Sequence, residues 1–205
     1  MHPIFYQEFE KICSERNVRG SVLEVGAIPS ERSLLCMKSL EHVAEKMGVN
    51  IDGPHEFMDF KIIKCNANSM DLFENERFDT VLCNAMVEHD KFFWKTISEI
   101  KRVTKTGGMI VIGSPGYTNY KFEKVKSYLK RCPVIKGLNS HKYFNFLFNS
   151  TITFQIHAAP GDYYRFSPQA FKEVLLDGLD DVELRVIMLP PRIIGLGFKS
   201  NDALR

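Results

Sequence analysis

The fold is decided by residues 21–31, which read SVLEVGAIPSE. Residues 22–25 predict a short buried strand that carries one carboxylate, Glu24. Gly26 then allows a turn that a residue with a Cβ makes only with strain. Ser30 is a suitable N-cap for a helix that follows. A strand, a tight turn and a helix start together form the arrangement in which a small molecule lies against backbone at the carboxyl end of a strand.

The position of Glu24 limits the kind of ligand that this turn can hold. A buried carboxylate two residues before the glycine would repel a phosphate, whereas it suits a ligand that carries an ammonium group or hydroxyls. The stretch also lacks the glycine pattern with which nicotinamide-dependent enzymes cradle phosphates. A nicotinamide-dependent enzyme is therefore disfavoured.

Length and composition indicate one ordinary globular domain. The chain has 205 residues, of which 44% are apolar and 25% are charged, and its formal net charge is +2. These values do not point to nucleic acid or a membrane as a partner. The five cysteines are scattered without metal-ligand or CxxC spacing, which favours reduced thiols and no metal site. Since the start lacks a signal-peptide pattern and no apolar run reaches membrane-spanning length, we expect a cytoplasmic protein.

Hydrophobic periodicity predicts helices and strands that alternate through much of the chain. The predicted helices cover residues 4–16, 32–40, 91–104, 120–131 and 168–176, and the predicted strands cover 22–25, 46–52, 60–64, 78–84, 109–113, 182–189 and 193–198. This alternation implies βαβ units and a parallel sheet. Only Pro190, Pro191 and Arg192 separate the last two strands, and so short a connection permits a hairpin and forbids a parallel crossover.

Two further stretches carry motifs whose spacings agree with each other. Residues 78–89 read FDTVLCNAMVEH, and residues 102–111 read RVTKTGGMIV. The first resembles the fourth motif of the class I S-adenosylmethionine-dependent methyltransferases and the Glu-His pair that often follows it. The second resembles their Lys-Pro-Gly-Gly turn into the fifth strand, with Thr106 in the place of proline. Residues 21–31 resemble the first motif of the same family in part, because Gly26 matches the first of its three glycines.

The resemblance implies an α/β fold: a Rossmann-like, doubly wound sheet of seven strands with an antiparallel last strand, helices on both faces and an irregular lid insertion. Residues 1–205 then form a single methyltransferase domain. It divides into an N-terminal helix (1–17), a cofactor-binding core (18–116), a substrate lid (117–166) and a C-terminal helix with a β-hairpin (167–205). An irregular insertion of this length in a compact domain is most often functional.

The same resemblance implies S-adenosyl-L-methionine as the cofactor. Its predicted contacts are Glu24, Gly26, Ala27, Ile28, Asn50, Asp52, Asn66, Ala67, Asn68, Asn84, Ala85 and Met86. In this family an acid at the end of the second strand holds the ribose hydroxyls. Here Asn50, or Asp52 two residues later on the same strand face, can accept that hydrogen bond. The amides of Asn66 and Asn68 can contact the adenine, or they can simply cap turns.

Methyl transfer to a hydroxyl or an ammonium group requires the loss of a proton, for which histidine is well suited. The two candidate bases are His89, at the carboxyl edge of the fourth strand, and His157, in the insertion. His89 can instead be a packing or capping residue. The predicted substrate contacts are Tyr117, His141, Tyr163 and Arg165. Arg165 can instead form a structural pair with Asp162.

The sequence thus predicts an enzyme that transfers a methyl group from S-adenosylmethionine to a small molecule, with a hydroxyl oxygen as the favoured acceptor. The basic residues of the helix at 120–131 either form a solvated face or attract an anionic substrate, such as a nucleotide-sugar, a phosphorylated metabolite or RNA. No RNA-binding signature accompanies that helix, so nucleic acid is disfavoured. The identity of the acceptor and the oligomeric state stay open.

Two alternatives remain. One is a methyltransferase that acts on RNA or protein. The other is a catalytically degenerate module that binds a partner. The second alternative is supported by Ile28 and Ser30, which stand in place of the second and third glycines, and by the missing acid at the end of the second strand.

Overall fold

The structure is a computed structural model that describes residues 2–117, 120–133, 150–151, 153–156 and 161–200. Its helices are α1 (Pro3–Glu15), α2 (Phe93–Val103), α3 (Tyr120–Arg131) and α4 (Pro168–Ala170), which continues as a π-helical turn at Phe171–Leu175. Its strands are β1 (Ser21–Val25), β2 (Glu45–Asn50), β3 (His55–Phe57), β4 (Phe60–Lys64), β5 (Phe78–Asn84), β6 (Thr104–Pro115), β7 (Leu179–Ile187) and β8 (Arg192–Lys199). Two short 3₁₀ turns, Leu34–Cys36 and Lys38–Leu40, follow β1.

The strands form one mixed sheet in the order β3-β4-β2-β1-β5-β6-β8-β7. The five strands β4, β2, β1, β5 and β6 run parallel to one another, whereas β8 runs antiparallel to both β6 and β7. The predicted Rossmann-like α/β sheet with an antiparallel last strand is therefore confirmed. The structure adds an eighth strand, β3, which pairs antiparallel to β4 at one edge.

Each face of the sheet carries its own apolar core because successive strand residues point to opposite sides. On one face Leu23 and Val25 pack with the helix α2 and the turn after α4. On the other face Val22 packs with α1 and the 3₁₀ turns. Helices thus cover both faces, as predicted. The carboxyl ends of the parallel strands remain available for a site.

The helix predicted over residues 32–40 is wrong. The chain there forms only the two 3₁₀ turns, because Ser33 and Met37 both have extended backbone, with ψ of 143° and 140°. Ser33, rather than Ser30, caps the first turn by accepting from the N–H of Leu35 at 3.2 Å. The Ser33 hydroxyl also donates to the buried carboxylate of Glu24. A side chain that holds the backbone at such points competes with a continuous helix.

The second strand also ends earlier than predicted. It stops at Asn50, so Asp52 lies in the turn beyond it rather than on the same strand face. The turn at Gly53 and Pro54 then reverses the chain into β3. A strand of three residues is too short to show a periodicity, which explains why the sequence did not predict it.

Part of the predicted lid is described. Within residues 117–166, α3 has its predicted bounds, and short segments at 150–151, 153–156 and 161–166 are also placed. The predicted residues His141 and His157 lie outside the described residues. None of the helices in the described part of the chain is long and apolar enough to cross a membrane.

Candidate active site

A cavity of about 370 Å³ lies at the carboxyl ends of β1, β2, β4 and β5. It is lined by Gly26, Ile28, Val49, Asn50, Ile51, Cys65, Asn66, Ala67, Asn68, Ala85, Met86, His89 and Asp90. In an open α/β sheet this is the edge at which ligands bind. Eight of the twelve predicted cofactor contacts fall in this lining, and the exceptions are Glu24, Ala27, Asp52 and Asn84.

The turn after β1 brings backbone to the wall of the cavity. Gly26 has a φ of +85°, a conformation that favours glycine. Its N–H and that of Ala27 both donate to the carbonyl of Val49, at 2.9 and 3.1 Å. A Cβ at position 26 would lie 3.1 Å from the side chain of Met86 on the neighbouring loop. The close approach of these two loops explains why glycine stands here, while Ala27 is buried behind the wall.

Glu24 lies behind this turn and not in the cavity lining, in contrast to the predicted cofactor contact. Its side chain is buried, and it accepts hydrogen bonds from the hydroxyl of Ser33 and from the N–H of Leu35, the latter at 3.4 Å. Burial raises the pKa of this carboxyl to about 6. The carboxylate therefore fixes the loop that follows β1.

The end of β2 supplies Asn50 but not Asp52. The Asn50 side chain donates from Nδ2 to the carbonyl of Ala27 at 2.7 Å, and its Oδ1 accepts from the N–H of Asp52 at 3.0 Å. These bonds orient the amide at the cavity wall and leave a second lone pair on Oδ1. The side chain of Asp52 is 90% exposed and lies 3.9 Å from His55. Of the two predicted ribose contacts, only Asn50 lies in the cavity.

The loop after β4 combines a turn cap with a polar wall. Asn66 Oδ1 accepts from the N–H of Asn68 at 3.0 Å, so the turn-capping interpretation is confirmed for Asn66. The Nδ2 of Asn68 donates to Asp90 at 2.7 Å and to Thr96 at 2.8 Å, and the Thr96 hydroxyl donates to Asp90 at 2.7 Å. This network holds the β4 loop against the loop before α2, with Asn66, Asn68 and Asp90 all in the cavity lining.

The loop after β5 supplies the opposite wall. Ala85 has a φ of +51° and donates its N–H to the carbonyl of Gly113 at 2.8 Å. Met86 contacts the Gly26 turn, as described above. The side chain of Asn84 does not line the cavity. Its Oδ1 atom is buried and accepts no hydrogen bond within the described part of the chain.

His89 joins the cavity to a second group of buried polar residues. Its Nδ1 atom contacts the carbonyl oxygen of Gly161, which can only accept, so this contact requires a proton on Nδ1. In the neutral ring Nε2 is then the nitrogen with the lone pair. Nε2 lies 3.9 Å from Oε1 of Glu88, whose side chain is buried. The pair has the arrangement of a proton acceptor with a carboxylate beside it.

Glu88 sits where several elements meet. Its Oε2 accepts from the hydroxyl of Ser114 at 3.1 Å, and its backbone carbonyl accepts from the N–H groups of Tyr163 and Tyr164 at 2.8 and 3.2 Å. Burial raises the pKa of the Glu88 carboxyl, although His89 and Ser114 oppose that rise. The segment that returns from the insertion is thereby fixed beside β5 and β6.

Three of the predicted substrate contacts, Tyr117, Tyr163 and Arg165, lie among the described residues. Arg165 forms a two-pronged pair with the buried carboxylate of Asp162, so the structural alternative is confirmed for it. The rings of Tyr117 and Tyr163 are 41% and 55% exposed. The N–H of Tyr117 donates to the carbonyl of Phe166 at 3.3 Å. All three lie outside the lining of the cavity.

Sequence reasoning missed four polar residues of this edge: Asp90 as a wall residue, and next to it the buried Glu88 and Ser114 and the half-buried Arg192. Signals for two of them were present. Glu88 is the acid of the recognised Glu-His pair, and Arg192 ends the short hairpin connection, which brings it to the carboxyl end of β6. Ser114 gave no signal, because a serine at a strand end is common.

The comparisons with known proteins agree with this geometry. A family model described as a methyltransferase domain matches residues 33–112, which begin after the Gly26 turn and end within β6. No curated protein matches the chain. This match, together with the fold, supports the recognition of a class I S-adenosylmethionine-dependent methyltransferase. The same match supports the predicted enzyme class and the predicted cofactor, S-adenosylmethionine.

Solved structures with this fold share little sequence with the chain. The Burkholderia thailandensis 1,6-didemethyltoxoflavin-N1-methyltransferase, solved with S-adenosylhomocysteine, has a TM-score of 0.63 and 15% identity, over 96% of this chain and 78% of that one. A phosphoethanolamine N-methyltransferase of Haemonchus contortus has a TM-score of 0.61 and 13% identity, over 95% and 53%. The N-methyltransferase NodS of Bradyrhizobium japonicum has a TM-score of 0.57 and 10% identity, over 97% and 96%.

Proposed function

We propose that this chain transfers a methyl group from S-adenosylmethionine to a small-molecule acceptor, with a hydroxyl oxygen as the favoured acceptor. The observation that carries the proposal is the position of His89, which lines the cavity and also stands beside the buried carboxylate of Glu88. One residue therefore connects the predicted cofactor cavity to a group that can take up a proton.

The residues present in the cavity fit the cofactor. When bound, S-adenosylmethionine supplies a methyl group already activated by its sulfonium. The neutral amides of Asn50, Asn66 and Asn68 suit ribose hydroxyls and an adenine ring, and the Gly26 turn keeps a Cβ out of the wall. Ile28 gives the same wall an apolar side chain that is 43% exposed.

The chain's own contribution to the reaction is position and a proton acceptor. Holding the acceptor atom in line with the methyl group supplies most of the acceleration in such a transfer. His89 Nε2 takes the proton that a hydroxyl loses, and Glu88 stabilises the imidazolium that forms. The Gly161 carbonyl keeps the ring oriented for this role. A predicted second base, His157, stays a prediction.

N-methylation is the second candidate. The three solved structures named above are called N-methyltransferases. A protonated amine also has to lose a proton before it can attack, so the same Glu88–His89 pair serves either acceptor. A methyltransferase of RNA or protein has less support, although another neighbour is a Haloferax volcanii methyltransferase in complex with the activator Trm112.

Calorimetric titration with S-adenosylhomocysteine is the first test, and we expect saturable binding with one site per chain. The second test supplies methyl-labelled S-adenosylmethionine with pairs of small molecules that differ only in a hydroxyl or an amine, and follows the label. Label on the hydroxyl members supports the oxygen assignment, and label on the amines replaces it with nitrogen. Absence of S-adenosylhomocysteine binding would support the partner-binding module and overturn the proposal.

A further inference from the structure

Arg192 stands at the acceptor side of the proposed site. It begins β8 opposite Pro115, the last residue of β6, so it lies at the same edge of the sheet as Ser114 and Glu88. Its side chain makes no hydrogen bond or ion pair with any described residue, and its Nε atom is buried. A buried donor without an acceptor is costly in free energy, so such a group normally has a partner.

Two aromatic rings hold the Arg192 guanidinium in place. Its central carbon lies 5.1 Å from the centroid of the Phe5 ring and 4.5 Å from that of Phe154. Phe5 comes from α1 and Phe154 from the insertion, so the two rings belong to distant parts of the chain. Contacts to ring faces stabilise the cation without using its N–H groups. The donors of Arg192 therefore stay available in a fixed plane.

Burial lowers the pKa of Arg192, and a bound anion would stabilise its charged form. The nearby Glu88 carboxylate opposes that shift, and the guanidinium of Arg165 adds to it. The Nε atom of Arg165 is also buried and also lacks a hydrogen-bond acceptor among the described residues. The other N–H groups of Arg165 pair with Asp162 and with backbone carbonyls, so Arg192 carries most of the unused donors.

We propose that Arg192, with Arg165 beside it, binds an anionic group of the methyl acceptor, a carboxylate or a phosphate. The substrate class is then an anionic small molecule whose methylated atom lies near His89. This inference rests on the proposed function for the identity of the ligand as a methyl acceptor. Arg–carboxylate and Arg–phosphate contacts are frequently two-pronged, and they add geometric specificity as well as free energy.

The test uses inorganic phosphate and acetate as probes, each added to the whole chain at constant ionic strength. Nuclear magnetic resonance follows the backbone amides of Gly116 and Ile193 and the Nε–H signal of Arg192. We expect saturable shifts with at least one anion, and an affinity at least about tenfold weaker in Arg192→Gln. Arg77→Gln is the matched control, because Arg77 also lies over a phenylalanine ring, at 5.1 Å, but pairs with Glu45 at the other end of β5.

The outcomes distinguish a phosphate from a carboxylate as the bound anion. They also distinguish a failure of the Arg192 site from a failure of the proposed function. Saturation by phosphate alone supports a phosphorylated acceptor, and saturation by acetate alone supports a carboxylate. Shifts that do not saturate, or that Arg192→Gln retains in full, overturn the site. If Arg192→Gln does not fold, Arg192→Lys takes its place: weaker anion binding than in the wild-type chain supports the site, and unchanged binding overturns it. Loss of S-adenosylhomocysteine binding with intact anion binding removes the proposed function and leaves the Arg192 site.

Discussion

Two buried glutamates lie behind the two halves of the site, and each accepts a hydrogen bond from one serine hydroxyl. Glu24 is held by Ser33 in the loop after β1, and Glu88 is held by Ser114 at the end of β6. Burial raises the pKa of both carboxyls. By burial and by this one contact, the two residues are equivalent.

The other neighbours of the two carboxylates differ. Glu24 is completed by backbone N–H groups of Leu34 and Leu35, which are neutral and close in sequence. Glu88 has the ring of His89 at 3.9 Å and the charge of Arg192 nearby, on separate elements. A buried carboxylate with neutral local donors serves the loop that it holds. A buried carboxylate among titratable groups from several elements is typical of a site that moves a proton or binds an ion.

The largest expected effect is on the Glu24 side, at the glycine of the loop that this carboxylate holds. Gly26→Val should abolish detectable S-adenosylhomocysteine binding in calorimetry, since the new side chain would meet Met86 and occupy ligand volume. Gly107→Val is the control for backbone strain. Its φ of +75° is similar and a Cβ there meets nothing within 4 Å. Both variants should lose about 1–2 kcal/mol of unfolding free energy. Unchanged cofactor affinity in Gly26→Val would remove this loop from the site.

The next effect is on the Glu88 side and concerns turnover. Replacing the base in His89→Ala should lower turnover by about 10²–10⁴-fold, with the affinity for S-adenosylhomocysteine nearly unchanged. His55→Ala, in the edge strand β3, should leave turnover unaltered. Rates per folded molecule and melting curves distinguish the roles. A variant that melts earlier but turns over normally would mean that His89 only packs, and the contrast between the two glutamates would then lose its chemical basis.

A smaller effect separates two neighbours at the end of β2. Asn50→Ala should weaken cofactor binding by about 1–3 kcal/mol, because the amide is oriented at the cavity wall and its loss also releases the carbonyl of Ala27. Asp52→Ala should bind like the parent chain, since its side chain is exposed. Titration calorimetry of the two variants side by side measures the difference. The opposite ranking would show that the ribose is held beyond the strand end.

The sheet could be predicted from the sequence because its strands are apolar and separated by clear turn signals. The strands β4 and β5 have their predicted bounds, Phe60–Lys64 and Phe78–Asn84. The helix after β1 could not be excluded, since its failure depends on a hydrogen bond from Ser33 to a carboxylate nine positions earlier. Local propensity does not record such a contact.

The cofactor wall of the site could be predicted from the sequence, whereas the proposed acceptor side could not, because it depends on contacts between distant parts of the chain. The cofactor wall follows strand ends, which sequence periodicity locates. The proposed acceptor side combines residues far apart in the chain, such as Glu88, Ser114 and Arg192, and only the sheet order brings them together. The pairing of Arg165 with Asp162 was foreseeable because the two lie three positions apart.

The smallest expected effect is the pH dependence of the unfolding free energy that Glu24 contributes. It tests whether this residue has a purely structural role. Its pKa is raised from 4.5 to about 6 in the folded chain. The unfolded chain therefore loses this proton at lower pH, and the stability that a protonated Glu24 gives is fully present below pH 4.5 and is lost as the pH rises through 6. The difference in unfolding free energy between the wild-type chain and Glu24→Gln should fall by about 2 kcal/mol over that range.

Urea denaturation at several pH values between 4 and 8 measures this difference. A glutamine keeps an oxygen that accepts from Ser33 and from the N–H of Leu35, so the loop stays formed while the titrating group is removed. The same series with Asp52→Asn, which replaces an exposed carboxylate, provides the baseline for surface charge. If the difference does not change with pH, Glu24 remains ionised when the chain folds. A cation or ammonium group of a ligand would then be a better partner for it than the loop alone, and Glu24 would return to the cofactor contacts.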